Sequence, residues 1–194
     1  NTVNIGFGAR YIFNADTTIL GANTFLDYEL ESMHRRIGLG AELLTSLFEV
    51  RANSYDAQSE LINYKGVEET ALDGSDFKIT GKIPYADIYF KKSYWTDNSG
   101  YSANNEELGV SAEILENLTL TVAQQKKETK NAVGVIALNY SIPLGANRST
   151  TNSKADRDFT FKLKSVRSEL YKPVQRENRI TKKSIKLGVT VSGY

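Results

Sequence analysis

The amino-acid sequence predicts an all-β protein: an antiparallel transmembrane β-barrel followed by a basic C-terminal segment. Three observations carry this. Apolar and polar residues alternate with a period of two in nine separate stretches. The connections between those stretches alternate in length, short and then long. Charge divides the chain: residues 144–194 hold 12 Lys and Arg against 4 Asp and Glu, a net +8, whereas residues 1–143 hold 12 against 19, a net −7.

The stretches follow in order. Val3, Ile5, Phe7, Ala9, Tyr11 and Phe13 oppose Asn4, Gly6, Gly8 and Arg10. Leu20, Ala22, Thr24, Leu26 and Tyr28 oppose Gly21, Asn23, Phe25, Asp27 and Glu29. Ile37, Leu39, Ala41 and Leu43 oppose Arg36, Gly38, Gly40 and Glu42, and Phe48, Val50 and Ala52 oppose Glu49, Arg51 and Asn53. After a polar stretch, Phe77, Ile79, Gly81 and Ile83 oppose Lys78, Thr80 and Lys82. Residues 86–95 alternate less cleanly and end in Tyr94-Trp95. Leu108, Val110, Ala112 and Ile114 then oppose Gly109, Ser111 and Glu113; Leu118, Leu120 and Val122 oppose Thr119, Thr121 and Ala123; Ile136, Leu138, Tyr140 and Ile142 close the series. Each stretch has a length near the roughly 9–11 residues that a tilted strand needs to cross a bilayer. Aromatic residues near the strand ends (Tyr11, Phe13, Tyr28, Phe48, Tyr94, Trp95, Tyr140) sit where an interfacial girdle is expected.

Short connections fall near 14–17, 46, 84–86 and 115–117, and long polar ones near 30–34, 55–75, 96–106 and 126–131. Outer-membrane barrels show this asymmetry, with tight periplasmic turns and long surface loops. Pro84 lies in a short turn and Pro143 follows the last strand, so no proline breaks a ladder. Strand nine then ends on the periplasmic side and strand one starts outside. An odd count cannot close a single-chain barrel, so upstream strands are expected to be missing, or 158–166 or 184–191 supplies one. Starting at Asn1 rather than Met, the chain reads as a processed or partial product.

The predicted organisation is residues 1–143 as barrel strands and 144–194 as a basic linker. The expected polar, inward-facing set is Arg10, Asn23, Asp27, Glu29, Arg36, Glu42, Glu49, Arg51 and Glu113. In the tail, Lys162, Lys164, Arg167, Arg176 and Arg179 are the cations expected to lie against that acidic lining, because buried charges need partners. The absence of cysteine excludes disulfides and thiolate chemistry. The single histidine, His34, reads as a surface-loop residue rather than a metal ligand. Asp27, Glu29 and Glu42 lack a partner base, so they read as lining rather than as an acid–base pair. No catalytic residue, cofactor or metal is expected. The lysines of the tail, spaced between apolar residues, resemble a strand's wet face more than a nucleic-acid platform.

Three segments carry a family resemblance. Asn4-Ile5-Gly6-Phe7-Gly8-Ala9-Arg10-Tyr11, Leu20-Gly21-Ala22-Asn23-Thr24-Phe25-Leu26-Asp27-Tyr28 and Arg36-Ile37-Gly38-Leu39-Gly40-Ala41-Glu42 occur in that order. Together they resemble the translocator strands of the intimin/invasin family, the inverse autotransporters. Asp73-Gly74-Ser75-Asp76-Phe77 with Gly81, Ile83 and Pro84, and Val174-Gln175-Arg176-Glu177-Asn178-Arg179-Ile180, are similar to later family segments. The sequence departs from the family pattern at Leu44-Thr45-Ser46 and at Phe90-Lys91-Lys92-Ser93-Tyr94-Trp95.

The resemblance implies a barrel of about twelve strands in the bacterial outer membrane, with the chain turning back through the lumen to display a C-terminal adhesin passenger. It also implies partners: outer-membrane lipid and lipopolysaccharide, the barrel-assembly machinery and periplasmic chaperones, and a host or surface receptor met through the passenger. Nucleic acid is not among them. A small porin-like channel or structural barrel without a passenger is the alternative, and a soluble β-protein with the same alternation a third reading.

Overall fold

Alternation with a period of two places one set of side chains on each face of a strand, and nine such strands pair here into one sheet. The computed structural model describes residues 1–115, 117–127, 131–140, 157 and 162–186. The sheet contains β1 (Thr2–Phe13), β2 (Thr18–Glu29), β3 (Arg35–Thr45), β4 (Phe48–Ala57), β7 (Asp73–Ile83), β8 (Ala86–Thr96), β9 (Ser102–Leu115), β10 (Leu118–Lys127) and β11 (Val133–Tyr140). Its order is β1-β2-β3-β4-β7-β8-β9-β10-β11, every neighbour antiparallel. Among the described residues β1 and β11 are its two edges and do not pair with each other. The remaining strands, β5 (Ile62–Tyr64), β6 (Val67–Ala71) and β12 (Lys182–Lys186), form a second sheet in the order β12-β6-β5.

The faces are inverted relative to a water-soluble sheet. Ile5, Phe7, Leu39, Ile136 and Leu138 are 60–75% exposed on the apolar face. On the opposite face Asp27 and Arg36 are fully buried, and Glu42, Glu49, Arg51 and Asp76 nearly so. A large continuous apolar surface needs an apolar medium to cover it, and lipid supplies one. No helix among the described residues is long and apolar enough to cross a membrane.

The short connections are 14–17, 46–47, 84–85 and 116–117; the long ones are 30–34, 58–72, 97–101 and 128–132. The expected alternation is therefore present, with two revisions. β4 runs to Ala57 and β7 starts at Asp73, and the polar stretch between them contains the β5–β6 hairpin. β9 starts at Ser102, which shortens the loop before it to five residues. The expectation that 158–166 or 184–191 adds a strand to the main sheet is not met where the structure describes those residues. Residues 162–166 have no regular structure, and 182–186 pair with β6 instead. Residues 141–156, most of the composition-based linker, lie outside the described residues.

Two aromatic and histidine expectations change. Trp95 is 4% exposed and stacks on Tyr55 with ring centroids 5.3 Å apart, on the polar face rather than in a girdle. Gly74 makes this possible, since a Cβ there would overlap the indole. His34 does lie in a loop, but it is completely buried beneath the second sheet.

Candidate functional site

The polar face of the main sheet carries the C-terminal segment. Residues 162–186 run along it from the short-connection end to the long-connection end, held at three levels.

At the short-connection end the contacts are partly apolar. Val166, 2% exposed, packs with Ile19 and Leu44, and Ile12 and Leu170 join them. The Val166 amide donates to the Asp16 carbonyl at 2.7 Å, and the Lys164 amide to Ser46 Oγ at 2.8 Å. Arg167 pairs with Asp16 at 3.0 Å, and Arg157 donates to Asp87 at 2.5 Å. A 3-10 turn, Arg167–Tyr171, follows. Its carbonyls face Arg10, whose Nη1 donates to the carbonyls of Glu169, Leu170 and Lys172 at 3.0, 2.9 and 2.6 Å. Arg10 is aimed by Glu42, 2.5 Å from its Nε. Glu42 also accepts from Arg51, and Glu49 from Arg51 and Lys82, so β1, β3, β4 and β7 share one ionic network.

At mid-height the contact is a charge cluster. The Arg176 guanidinium grips both carboxylate oxygens of Asp27, with Nη1–Oδ1 at 2.9 Å. Arg36 donates to the same carboxylate through Nε and Nη2 at 2.9 and 2.8 Å, and through Nη2 to the Glu177 carbonyl at 2.6 Å. One buried carboxylate thus serves two buried guanidiniums. Their excess charge is spread over aromatic faces: Arg176 lies 4.3 Å from the Phe25 ring centroid and Arg36 lies 4.4 Å from that of Tyr55. Phe25 can lie across β1 because its neighbour is Gly6, where a Cβ would overlap the ring. The Tyr55 hydroxyl donates to Asp76 at 2.5 Å and accepts from the Glu177 amide at 2.8 Å.

At the long-connection end the tail becomes β12. The Leu72 amide donates to the Thr181 carbonyl at 2.9 Å. Lys182 pairs with Glu29 at 2.8 Å and Glu69 at 2.7 Å; Lys183 pairs with Asp97 at 3.1 Å. The Ser99 hydroxyl, Lys183 and the Tyr101 and Ser99 amides hold the Asp97 carboxyl at about 2. Burial, with the nearby Lys182 ammonium, pushes the His34 imidazole below its usual range.

The sequence-predicted residues divide accordingly. Arg10, Asp27, Arg36 and Arg51 touch the tail, as does Glu29 through Lys182. Glu42 and Glu49 are paired within the sheet. Asn23 faces Gly40 and Asn53 across the strands. Glu113 lines a cavity of about 420 Å³ between the tail and β7–β10. In the tail, Arg176 alone of the five chosen cations reaches the mid-height cluster. Arg167 meets the β1–β2 turn, and the side chains of Lys162, Lys164 and Arg179 are exposed. Tyr55, Glu169, Lys182 and Lys183 carry no inward-facing expectation from the sequence, and Asp76 enters there only within the segment 73–77. Continuing the inward series Arg51, Asn53 by two would have reached Tyr55.

Comparison with known proteins decides the family. The family model described as "Inverse autotransporter, beta-domain" matches residues 1–178. This chain belongs to the inverse autotransporter β-domain family. Over 84 residues it is 36% identical to an attaching and effacing protein homolog of Escherichia coli (strain K12), covering 42% of this chain and 28% of that protein. Over 86 residues it is 31% identical to the intimin of Escherichia coli O157:H7, covering 43% of this chain and 9% of that protein. The match thus spans well under two thirds of either relative. A solved structure described as "Unveiling the Mechanism Behind the in-meso Crystallization of Membrane Proteins" superposes with a TM-score of 0.75 at 17% identity, over 95% of this chain and 80% of that chain, which shows the shared fold. The inverse autotransporter β-domain is an outer-membrane protein of bacteria. Its family is one of autotransporter β-domains, with an intimin among the relatives.

Proposed function

We propose that this β-domain anchors the chain in the outer membrane and translocates it, so that a C-terminal adhesin passenger is exported through the lumen and displayed. One observation carries the reading: the tail crosses the polar face from the short-turn end to the long-loop end, clasped midway by Arg176 on Asp27. With long loops at the cell surface, that path leads the C-terminus outward. The predicted lining residues become lumen residues in this reading, and residues 144–194 the linker. The clasp supports a static end state, because a charge left unpaired in the lumen is costly. The test is an epitope placed after Tyr194, with antibody labelling of intact cells. Strong labelling is expected; labelling only after the outer membrane is opened would defeat the proposal.

A further inference from the structure

The β5–β6 hairpin stands apart from the main sheet's ladder. Its two-residue turn, Lys65-Gly66, has positive φ at both positions (51° and 77°), which matches the right-handed twist of the strands it joins. The Gly66 amide is further tied to Asn63 Oδ1 at 3.2 Å. The turn sets the pairing of β5 with β6 locally and leaves the outer edge of β6 as a row of backbone donors and acceptors. The tail fills it: Lys182, Lys183, Ser184 and Ile185 lie opposite Ala71, Thr70, Glu69 and Glu68.

Backbone pairing alone does not choose a register. The side chains of Lys182 and Lys183 do. As consecutive strand residues they project to opposite faces, and each meets its own acceptors: the Glu29 and Glu69 carboxylates on one side, the Asp97 carboxylate and the Ser99 hydroxyl on the other. A slip of one residue exchanges the faces, and a slip of two brings Ser184 or Ile180 to an acid site in place of a lysine.

We infer that the β5–β6 hairpin is a strand-addition seat for the chain emerging from the lumen. It accepts an extended segment carrying two consecutive lysines and stops the chain in one register. The seat lies on the cell-surface side, beyond the Asp27–Arg176 clasp along the tail, and it rests on the threading reading. Its chemistry is β-augmentation, with main-chain hydrogen bonds for affinity and flanking charges for specificity.

Cysteine pairs in the whole protein, in its membrane, test this with both lysines intact. Glu68→Cys/Ile185→Cys places thiols on directly opposed residues, whereas Thr70→Cys/Ile185→Cys reports a slip of two. The opposed pair is expected to form a disulfide at least tenfold faster than the slipped pair. Reversing both lysines (Lys182→Glu with Lys183→Glu) is expected to cut that preference at least fivefold. Equal rates for the two pairs, or a preference untouched by the reversal, overturns the seat. Labelling of an epitope after Tyr194 in the same variants separates the two readings: a labelled epitope without the register preference sinks the seat alone, and an unlabelled epitope sinks threading and the seat with it.

Discussion

Replacing Asp27 with Asn is expected to free the tail from the sheet, and to do so more severely than replacing Arg176 itself. Asp27 is fully buried and neutralises both Arg36, also fully buried, and Arg176. Removing the carboxylate leaves two guanidiniums confined together in the same site. Removing one partner of a buried ion pair costs about 3–5 kcal/mol, which lowers the ratio of seated to released tail by roughly a hundredfold to several thousandfold. Arg176→Ala leaves Asp27 paired with Arg36, so only the tail's own charged hydrogen bonds are lost, about 1.5–3 kcal/mol. Single-channel conductance in a planar bilayer, with increasing urea, measures release as the opening of a steady pore. The expected order of urea sensitivity is Asp27→Asn first, then Arg176→Ala, then the unaltered protein. If Asp27→Asn opened no more readily than Arg176→Ala, the shared-carboxylate argument would be wrong.

Three further outcomes follow from the same geometry. Gly6→Val forces the Phe25 ring from beneath Arg176 and should weaken tail seating by about 1–3 kcal/mol, read as an earlier opening in the same urea series. Phe7→Lys, on the exposed apolar face of β1, should cost about 2–4 kcal/mol in folding into lipid vesicles if it lies near the midplane, with the tail contacts unchanged. The imidazole of His34 titrates lower in the fold than in the unfolded chain. Its contribution is therefore complete above about pH 6.5 and declines as pH falls toward the lowered value. Between pH 7 and 5 the amides of β6 should lose hydrogen-exchange protection, and His34→Gln should flatten that loss.

The strands were legible because the barrel's faces differ so sharply. Ile5 and Phe7 against Gly6 and Gly8, or Leu39 against Gly38 and Gly40, alternate without interruption. Legibility failed where large aromatic residues turn inward. Tyr55 and Trp95 on the polar face disguise the ends of β4 and β8 as loop or girdle. β6, with Glu68 and Glu69 at its centre, has no apolar alternation, and one of its two partner strands lies more than 110 residues away. The charge asymmetry correctly implied that a basic tail needs an acidic surface, but it could not name the partners. Asp27 and Arg176 are 149 positions apart, and no local period links them. Half of the grip also runs the other way: Arg10 and Arg36 of the sheet hold tail carbonyls, and a carbonyl leaves no mark in a sequence.

The proposed function turns on the tail occupying the polar face of the sheet in the membrane. A Cβ on Gly8 would lie 3.8 Å from Val174 Cγ2, in van der Waals contact, so thiols introduced at these two positions face each other. Gly8→Cys/Val174→Cys, oxidised in intact outer membranes, measures this directly. Rapid, near-complete disulfide formation that keeps the pore closed in urea is expected. Two thiols that stay unlinked and both react with a water-soluble maleimide would contradict it.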